Sequence, residues 1–219
     1  MEEESKVPLL ILGTDAAARM AIQVAASLDV LVMGILAADT VKMPPEIDDI
    51  PVVAAIYTAD AESLLGDAYT RVVIAALDIE QRREMAEHAE GRAAQIETLI
   101  DAQHTLSPYA IIGQGNIIGA GAMIQAGAVI GNYNLIGCGC SIGIGTEIGD
   151  YCTVQDGALL GRDVVIEDEV FIGLGAMVNT GVHVGQGAMI AAGAVVLQNV
   201  SPGASVFGNP ARSASDKKK

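Results

Sequence analysis

Residues 117–146 read IIGAGA-MIQAGA-VIGNYN-LIGCGC-SIGIGT when they are divided into groups of six. The second residue of every group is isoleucine, and an aliphatic residue keeps this position through sixteen consecutive groups, from Leu106 to Val196. A small or β-branched residue follows four positions later in most groups, and glycine often follows the aliphatic residue directly. A sustained six-residue period is typical of a hexapeptide β-helix.

The six-residue period predicts the geometry of this half of the chain. Each group forms one flat face of a triangular coil, so three groups complete a turn, and turns stack at roughly 4.8 Å. The aliphatic and the small residue both point inward, and glycine provides the corners, where φ can be positive. About five turns are expected, in a prism roughly 25 Å tall.

Residues 1–105 follow a different pattern, in which short apolar runs alternate with helical segments. The pattern predicts strands over 7–12, 30–36, 51–56, 71–77 and 95–100, and helices over 16–28, 61–69 and 79–92. Such alternation is typical of a small parallel α/β domain. The predicted fold class is therefore α/β plus β. A Rossmann-like parallel α/β domain over 1–105 precedes a parallel β-helix over 106–212 and a disordered tail over 213–219.

Composition and charge exclude several classes of partner. Hydrophobic residues make up 51% of the chain but aromatic residues only 3%, which suits a prism of Ile, Val, Ala and Gly. The net charge of −15 argues against nucleic acid or an anionic membrane surface as a partner. The acidic first residues are unlike a signal peptide, and no apolar run reaches the roughly 18 residues of a membrane span. We expect no membrane insertion and a cytoplasmic location.

The order of the segments resembles one protein family. An α/β unit, a hexapeptide prism and a closing Gly-Asn-Pro-Ala-Arg at 208–212 are similar to the sialic acid O-acetyltransferase / UDP-amino-sugar N-acetyltransferase group of left-handed β-helix acyltransferases. The resemblance covers nearly the whole chain. It implies a homotrimer, acetyl-CoA bound along the prism between neighbouring subunits, and a nucleotide-sugar held partly by the N-terminal domain. It also implies direct acetyl transfer, in which a histidine takes the proton of the attacking amine or hydroxyl.

The segment that matches the family's catalytic stretch is residues 156–168, which read DGALLGRDVVIED. In the family a histidine is followed by an acidic residue. Here Asp163 keeps the acidic residue, but Arg162 stands in the place of the histidine. Arginine stays protonated at any relevant pH, so Arg162 cannot accept the proton. Asp163 is the alternative candidate for the base.

The resemblance also implies a set of CoA-binding positions. The groove would run past Phe171, Thr180 and Ala192 towards Arg212, and Phe171 stands where relatives carry a histidine. Such a groove depends mostly on backbone groups and small residues. Between residues 106 and 211, Arg162 is the only Arg or Lys against seven acidic residues, so this segment offers little positive charge to the phosphates of CoA.

Substrate-binding positions in the N-terminal domain are implied in the same way. The family places a Gly-rich turn after the first strand, so that backbone amides approach a phosphate at a helix N-terminus. Here Gly13 remains, but Asp15 replaces a later glycine. Asp15 either places negative charge where a diphosphate would lie or caps the following helix. Asp39, which follows the second strand, matches a position that can contact a ribose or base, and Arg82 is retained.

The cysteines and histidines give no metal site. Two of the three cysteines, Cys140 and Cys152, occupy the small inward position, which indicates packing, and the Cys-Gly-Cys pair lacks the usual zinc spacing. The three histidines are His88, His104 and His183. At most one of them lies in the prism, which excludes the three-histidine zinc site of the γ-class carbonic anhydrases. His183 is expected to point outward.

Three functions are consistent with these residues. The first is an acetyl-CoA-dependent acyltransferase acting on the amine or hydroxyl of a sugar or nucleotide-sugar, with a diverged active site. The second is a catalytically inactive, trimeric binding or scaffold protein. The third is an acyltransferase of altered specificity, in which Arg162 holds an anionic acceptor, because guanidinium groups bind carboxylates and phosphates well.

Overall fold

The computed structural model describes residues 8–41, 43–66 and 70–213. The chain forms two compact units. The first comprises the described residues up to Ala102 together with Gln114–Ile117, and the second comprises Gln103–Gly113 and the described residues from Ile118 onward. The ends of two predicted elements, at Val7 and Tyr69, lie outside the described residues, as does the predicted tail beyond Ser213. The domain boundary at 105/106 stays a prediction.

The first unit is a mostly parallel sheet with helices between its strands. Its strands are β1 (Leu9–Leu12), β2 (Val32–Ala37), β3 (Glu46–Ile47), β4 (Ile50–Ala55), β5 (Arg71–Ile74), β6 (Gln95–Ile96) and β7 (Leu99–Ile100), and its helices are α1 (Ala16–Ser27), α2 (Ala59–Leu65) and α3 (Ile79–Glu90). The sheet order is β3-β4-β2-β1-β5-β6, and every pair is parallel except β3 with β4. All four residues of β1 are buried, as a continuous apolar run in a central parallel strand should be. The small parallel α/β domain is confirmed.

Two segments of this unit differ from the prediction. The strand predicted over 95–100 consists of two separate two-residue strands, β6 and β7. The loop after Pro45 contains the antiparallel pair β3–β4, which is turned by Asp48 and Asp49 at φ +48° and +66°. Aspartate tolerates this left-handed region better than most residues. Strands of two residues are too short for periodicity to reveal.

The second unit is a parallel β-helix with three faces. Its strands are β8 (Thr105–Leu106), β9 (Ile111–Ile112), β10 (Ile117–Ile118), β11 (Met123–Ile124), β12 (Val129–Ile130), β13 (Leu135–Ile136), β14 (Ser141–Ile142), β15 (Glu147–Ile148), β16 (Thr153–Val154), β17 (Leu159–Leu160), β18 (Val165–Ile166), β19 (Phe171–Ile172), β20 (Met177–Val178), β21 (His183–Val184), β22 (Met189–Ile190), β23 (Val195–Val196), β24 (Ser205–Phe207) and β25 (Arg212–Ser213); β10 crosses the division between the units. The faces stack as β8-β11-β14-β17-β20-β23, β9-β12-β15-β18-β21 and β13-β16-β19-β22-β24.

The stacking register confirms the predicted inward column. Ile124 pairs with Ile142, and Ile142 with Leu160, each eighteen residues further along. These three side chains are at most 3% exposed, and burying each stabilises the fold by about 1.5–3 kcal/mol.

The glycines of a repeat fall into two classes. Gly143 directly follows an aliphatic residue, and a Cβ placed there would lie 2.3 Å from the carbonyl oxygen of Gly161 in the next coil. Gly157 lies at a corner with φ +67°, and nothing surrounds its Cβ position. The positive φ predicted at a corner is therefore found at Gly157, three residues after an aliphatic residue, and not at Gly143. The glycine after the aliphatic residue, by contrast, is required by close stacking.

Polar atoms inside the prism bind successive coils to one another. The small inward residues of three successive repeats each donate to a carbonyl oxygen fifteen residues later: Cys140 to Gln155 (3.2 Å), Thr146 to Gly161 (2.7 Å) and Cys152 to Glu167 (3.1 Å). Burial raises the pKa of Cys140 to about 11, so its thiol stays neutral. The packing role predicted for these cysteines is confirmed.

The last coil is two residues shorter than the others. Ile190 pairs with Val206, and Val184 with Val200, sixteen residues apart. Strand β24 therefore continues a face of the prism. Strand β25 returns antiparallel to β24, so that Ser213 belongs to a strand and not to the predicted tail. No helix in the described part of the chain is long and apolar enough to cross a membrane.

Candidate functional site

The strand order of the first unit reverses between β1 and β5. The chain leaves β1 towards β2 and β4 on one side, and then crosses to β5 on the other. In open α/β sheets, ligands bind where the strand order reverses in this way, beyond the carboxyl ends of the strands. The loops at this point are residues 13–15 after β1 and residues 75–78 after β5.

Gly13 and Asp15 bring these two loops together. Gly13 has φ +125°, and a Cβ there would lie 2.0 Å from the carbonyl oxygen of Ala75. Asp15 is the N-cap of α1, with one carboxylate oxygen accepting from the backbone nitrogen of Ala17 at 2.8 Å. Its other oxygen accepts from the backbone nitrogen of Leu77 at 2.7 Å. Of the two roles considered for Asp15, the structure shows the helix cap, and it adds the bridge to the β5 loop.

Arg82 and Asp39, the other two substrate-binding candidates, have different surroundings. Arg82 is fully buried, and its guanidinium donates to the carbonyl oxygen of Ala76 at 3.1 Å. Arg82 therefore touches the β5 loop from inside the unit. Asp39 is exposed after β2, where it accepts from the backbone nitrogen of Val41 at 2.7 Å. A direct contact of either residue with a substrate stays a prediction.

Three of the predicted residues of the second unit lie together at one corner of the prism. The backbone nitrogen of Gly181 donates to the carbonyl oxygen of Arg162 at 2.9 Å, which stacks Thr180 on Arg162 in the next coil. Asp163 follows Arg162 at φ +52°, and its carboxylate lies over Gly145 in the coil below. All three side chains are exposed. This corner presents a guanidinium, a carboxylate and a hydroxyl.

The remaining cofactor candidates lie elsewhere on the prism. Phe171 is half-buried on β19, a different face, between Thr153 and Met189. Ala192 is exposed at the corner after β22. Arg212, on β25, lines a cavity of about 320 Å³ together with residues 196–201, 204, 206, 211 and 213. The structure thus gathers Arg162, Asp163 and Thr180, while the other positions are spread along the prism.

Sequence reasoning missed a histidine–carboxylate pair on the face of β18 and β21. The imidazole Nε2 of His183 lies 2.7 Å from one oxygen of Glu167. The other oxygen accepts from the backbone nitrogen of Gln186 at 2.7 Å. Those two hydrogen bonds, with that from Gln186 the stronger cause, lower the pKa of Glu167. The sequence could have revealed this pair. Val165 pairs with His183 in the next coil, and Glu167, two residues after Val165, points to the same outward side as His183.

Some acidic residues of the prism accept hydrogen bonds from backbone nitrogens of the preceding coil. Each of three aspartates accepts a hydrogen bond from a backbone nitrogen eighteen residues earlier: Asp150 from Asn132 (2.6 Å), Asp156 from Cys138 (2.7 Å) and Asp168 from Asp150 (2.8 Å). These contacts explain part of the acidity of the prism without any ligand. Among the described residues no three His, Cys, Asp or Glu side chains gather as metal ligands.

Comparisons with known proteins agree with this architecture. The family model "Hexapeptide repeat of succinyl-transferase" matches residues 163–198. The acetyltransferase domain of PglB from Neisseria gonorrhoeae is 26% identical, with a TM-score of 0.84 over 94% of this chain and 98% of that one. PerB from Caulobacter crescentus, solved with CoA and GDP-perosamine, is 25% identical, with a TM-score of 0.86 over 94% and 96%. No curated protein sequence matches this chain.

A further solved structure extends the likeness in fold. WeeI from Acinetobacter baumannii is 21% identical and has a TM-score of 0.82 over 94% of this chain and 99% of that one. These likenesses span both units of the chain, and they confirm the resemblance drawn from the sequence. The chain is thus a hexapeptide-repeat protein with the two-domain fold of the left-handed β-helix sugar acetyltransferases.

Proposed function

We propose that this chain is an acetyl-CoA-dependent acyltransferase that acts on an amine or hydroxyl group of a sugar, with a diverged active site. The observation that carries the proposal is the corner at which Arg162, Asp163 and Thr180 lie together on the outside of the prism. Proteins of the same fold were solved with CoA or acetyl-CoA, which supports this class of co-substrate.

The groups at the corner suit a direct transfer. Acetyl-CoA supplies an acetyl group activated as a thioester. Asp163 takes the proton of the acceptor as its nitrogen or oxygen bonds to the acetyl carbon, and the carbon–sulfur bond breaks to release the thiolate. Arg162, always charged, lies beside it and stabilises the negative charge that develops on the thioester oxygen. The hydroxyl of Thr180 provides a neutral hydrogen bond in the next coil.

The residues available to hold CoA are few. Arg162 and Arg212 are the only arginine or lysine residues in the described part of the second unit. We propose that Arg212 meets a phosphate of CoA, while Phe171, Thr180 and Ala192 contact its less polar parts. The cavity beside Arg212 supports the placement of that end of the ligand.

Two other functions have a specific observation in their favour. The guanidinium of Arg162 is in no ion pair with a carboxylate of the described residues, which leaves it available for an anionic acceptor. The corner also lacks an imidazole, since His183 lies three residues beyond Thr180 and faces Glu167. That absence favours an inactive binding or scaffold protein.

The proposal is tested by binding and turnover with the intact chain. We expect acetyl-CoA to bind with a submillimolar dissociation constant in calorimetry, and free thiol to appear when a sugar amine or hydroxyl acceptor is added. Arg212→Gln is expected to weaken acetyl-CoA binding, because it removes one of the two cations available to the phosphates. Acetyl-CoA binding without transfer to any acceptor would favour the scaffold function. No binding at millimolar concentration would exclude both acyltransferase functions.

We propose further that the chain is a homotrimer and that the face of β8, β11, β14, β17, β20 and β23 is covered by another copy. Outward residues of this face form an uncharged and mostly apolar column, in which Met123, Leu159 and Met177 are each 44–45% exposed. The neighbouring face carries Glu147 and His183 in the equivalent positions. Apolar columns of this kind are typically buried between subunits.

Leu159→Lys is expected to convert the trimer into monomers, because it places an ammonium group in the centre of the apolar column. Light scattering coupled to size-exclusion chromatography measures the mass directly. Val129→Lys is the matched control: Val129 is 38% exposed on the neighbouring face, beside Glu147, and this variant should remain trimeric. A monomeric unmodified protein, or equal dissociation by both variants, would contradict the assignment of the face.

A further inference from the structure

We infer that Asp15 occupies, with its own carboxylate, the anion position between the β1 and β5 loops, and so excludes nucleoside diphosphates from the first unit. The inference deepens the proposed function by naming the acceptor class: a sugar that carries no nucleoside diphosphate at this position. Only the statement about the acceptor rests on the proposed function. The exclusion of nucleotides does not, since nucleotide binding is measured without any acetyl transfer.

The hydrogen bonds of Asp15 carry the argument. The backbone nitrogen of Ala17 lies in the first turn of α1, and that of Leu77 in the loop after β5; both donate to Asp15, at 2.8 and 2.7 Å. A phosphate at this strand-order reversal would take hydrogen bonds from such amides at a helix N-terminus. Carboxylate and phosphate oxygens compete for the same donors because both are anionic acceptors.

Packing and charge reinforce the exclusion. Gly13 packs so closely against the carbonyl group of Ala75 that not even a Cβ would fit between the two loops at this point. Asp78 caps α3 on the same side, accepting from the backbone nitrogen of Gln81 at 2.9 Å. The positive ends of α1 and α3 therefore already face a carboxylate each. A diphosphate would have to displace Asp15 while two negative charges remain beside it.

Removing the charge of Asp15 is therefore expected to create nucleotide binding. Asp15→Ser keeps a capping oxygen for α1 but frees the amide of Leu77, and Asp15→Asn keeps the shape of the side chain without its charge. Titration of UDP and GDP by calorimetry should detect no binding to the unmodified protein at millimolar concentration. Affinity should rise at least about tenfold in Asp15→Ser, because a unit charge at hydrogen-bond distance from the phosphate is removed.

Asp78→Ser is the matched control, since it removes a capping carboxylate from the neighbouring helix and leaves both hydrogen bonds of Asp15 intact. It should gain much less affinity than Asp15→Ser. Submillimolar binding of UDP or GDP by the unmodified protein would overturn the inference, as would no gain in either Asp15 variant or an equal gain in Asp78→Ser. Circular dichroism confirms that each variant is folded.

Acetyl-CoA affinity, measured on the same samples, separates this inference from the proposed function. It should be equal in all variants, because the residues proposed to hold CoA lie in the second unit. Gain of nucleotide binding by proteins that do not bind acetyl-CoA would uphold the inference about Asp15 and reject the acyltransferase. The reverse result would retain the acyltransferase and reject the inference.

Discussion

Arg162→His is expected to raise the rate of CoA-dependent acetyl transfer by about 100-fold or more. General acid–base catalysis by a positioned side chain typically contributes about 10²–10⁴-fold. The proposed base, Asp163, is a carboxylate, and a carboxylate is a weaker base than an imidazole, which titrates near neutral pH. A histidine at position 162 would therefore take over the proton transfer beside Asp163, and this gain should exceed the loss of the guanidinium. The corner has room for the substitution, because Arg162 is exposed and its neighbour in the next coil is the small Thr180. Release of free thiol from acetyl-CoA, with a panel of amino sugars as acceptors, measures the effect.

Two controls assign the gain to proton transfer. Arg162→Gln removes the charge without supplying a base, and Arg162→Lys retains a positive charge, so neither should exceed the rate of the unmodified protein. Acetyl-CoA affinity, measured by calorimetry on the same variants, shows whether any change lies in binding. Loss of activity in all three variants would contradict the expectation and show that the guanidinium itself is required, for the charge that develops on the thioester oxygen or for an anionic acceptor.

Gly143→Ala is expected to lower the free energy of unfolding by about 3 kcal/mol, since forcing extra atoms into a packed site costs about 1–3 kcal/mol and occasionally more. The added Cβ would lie 2.3 Å from the carbonyl oxygen of Gly161 and 2.8 Å from the backbone nitrogen of Arg162. Both atoms are backbone, so they can yield only if the coils separate. Urea denaturation followed by circular dichroism measures the loss.

Gly157→Ala is the matched control for this substitution. Gly157 has φ +67°, but its Cβ would meet nothing within 4 Å, so only backbone strain of about 1–2 kcal/mol is expected. The difference between the two variants therefore reports the close contact between coils. An equal loss in both would show that conformation, rather than stacking, explains the glycine that follows each aliphatic residue.

The fold could be predicted from the sequence because two regular patterns determine it: the alternation of strands and helices in the first unit and the six-residue repeat in the second. The aliphatic column from Leu106 to Val196 repeats every six residues, and a repeat of that length determines the stacking of one coil on the next. The structure differs from the prediction in segments where no such pattern is present. Strands β3, β6 and β7 have two residues each, and the loss of two residues in the last coil is visible only when Ile190 is seen to pair with Val206.

The candidate site was less accessible, because its contacts join residues that are distant in sequence. Arg162, Asp163 and Thr180 were identified by resemblance, and the stacking of coils explains why they meet. The bridge from Asp15 to Leu77 spans 62 residues and depends on the strand order of the sheet. The pair formed by His183 and Glu167 was missed because His183 was considered alone, without the residues that lie sixteen to eighteen positions earlier, in the coil below.

The shortened last coil bears on how such a protein changes length during evolution. A deletion inside the prism would shift every later aliphatic residue out of its column, and would bring side chains against glycines such as Gly143 that tolerate none. The two residues are lost between Val196 and Val200, and among the described strands only β24 and β25 follow, so the loss displaces little. We therefore expect natural variants of this chain to gain or lose length inside the prism in whole turns, and to vary freely only at its carboxyl-terminal end.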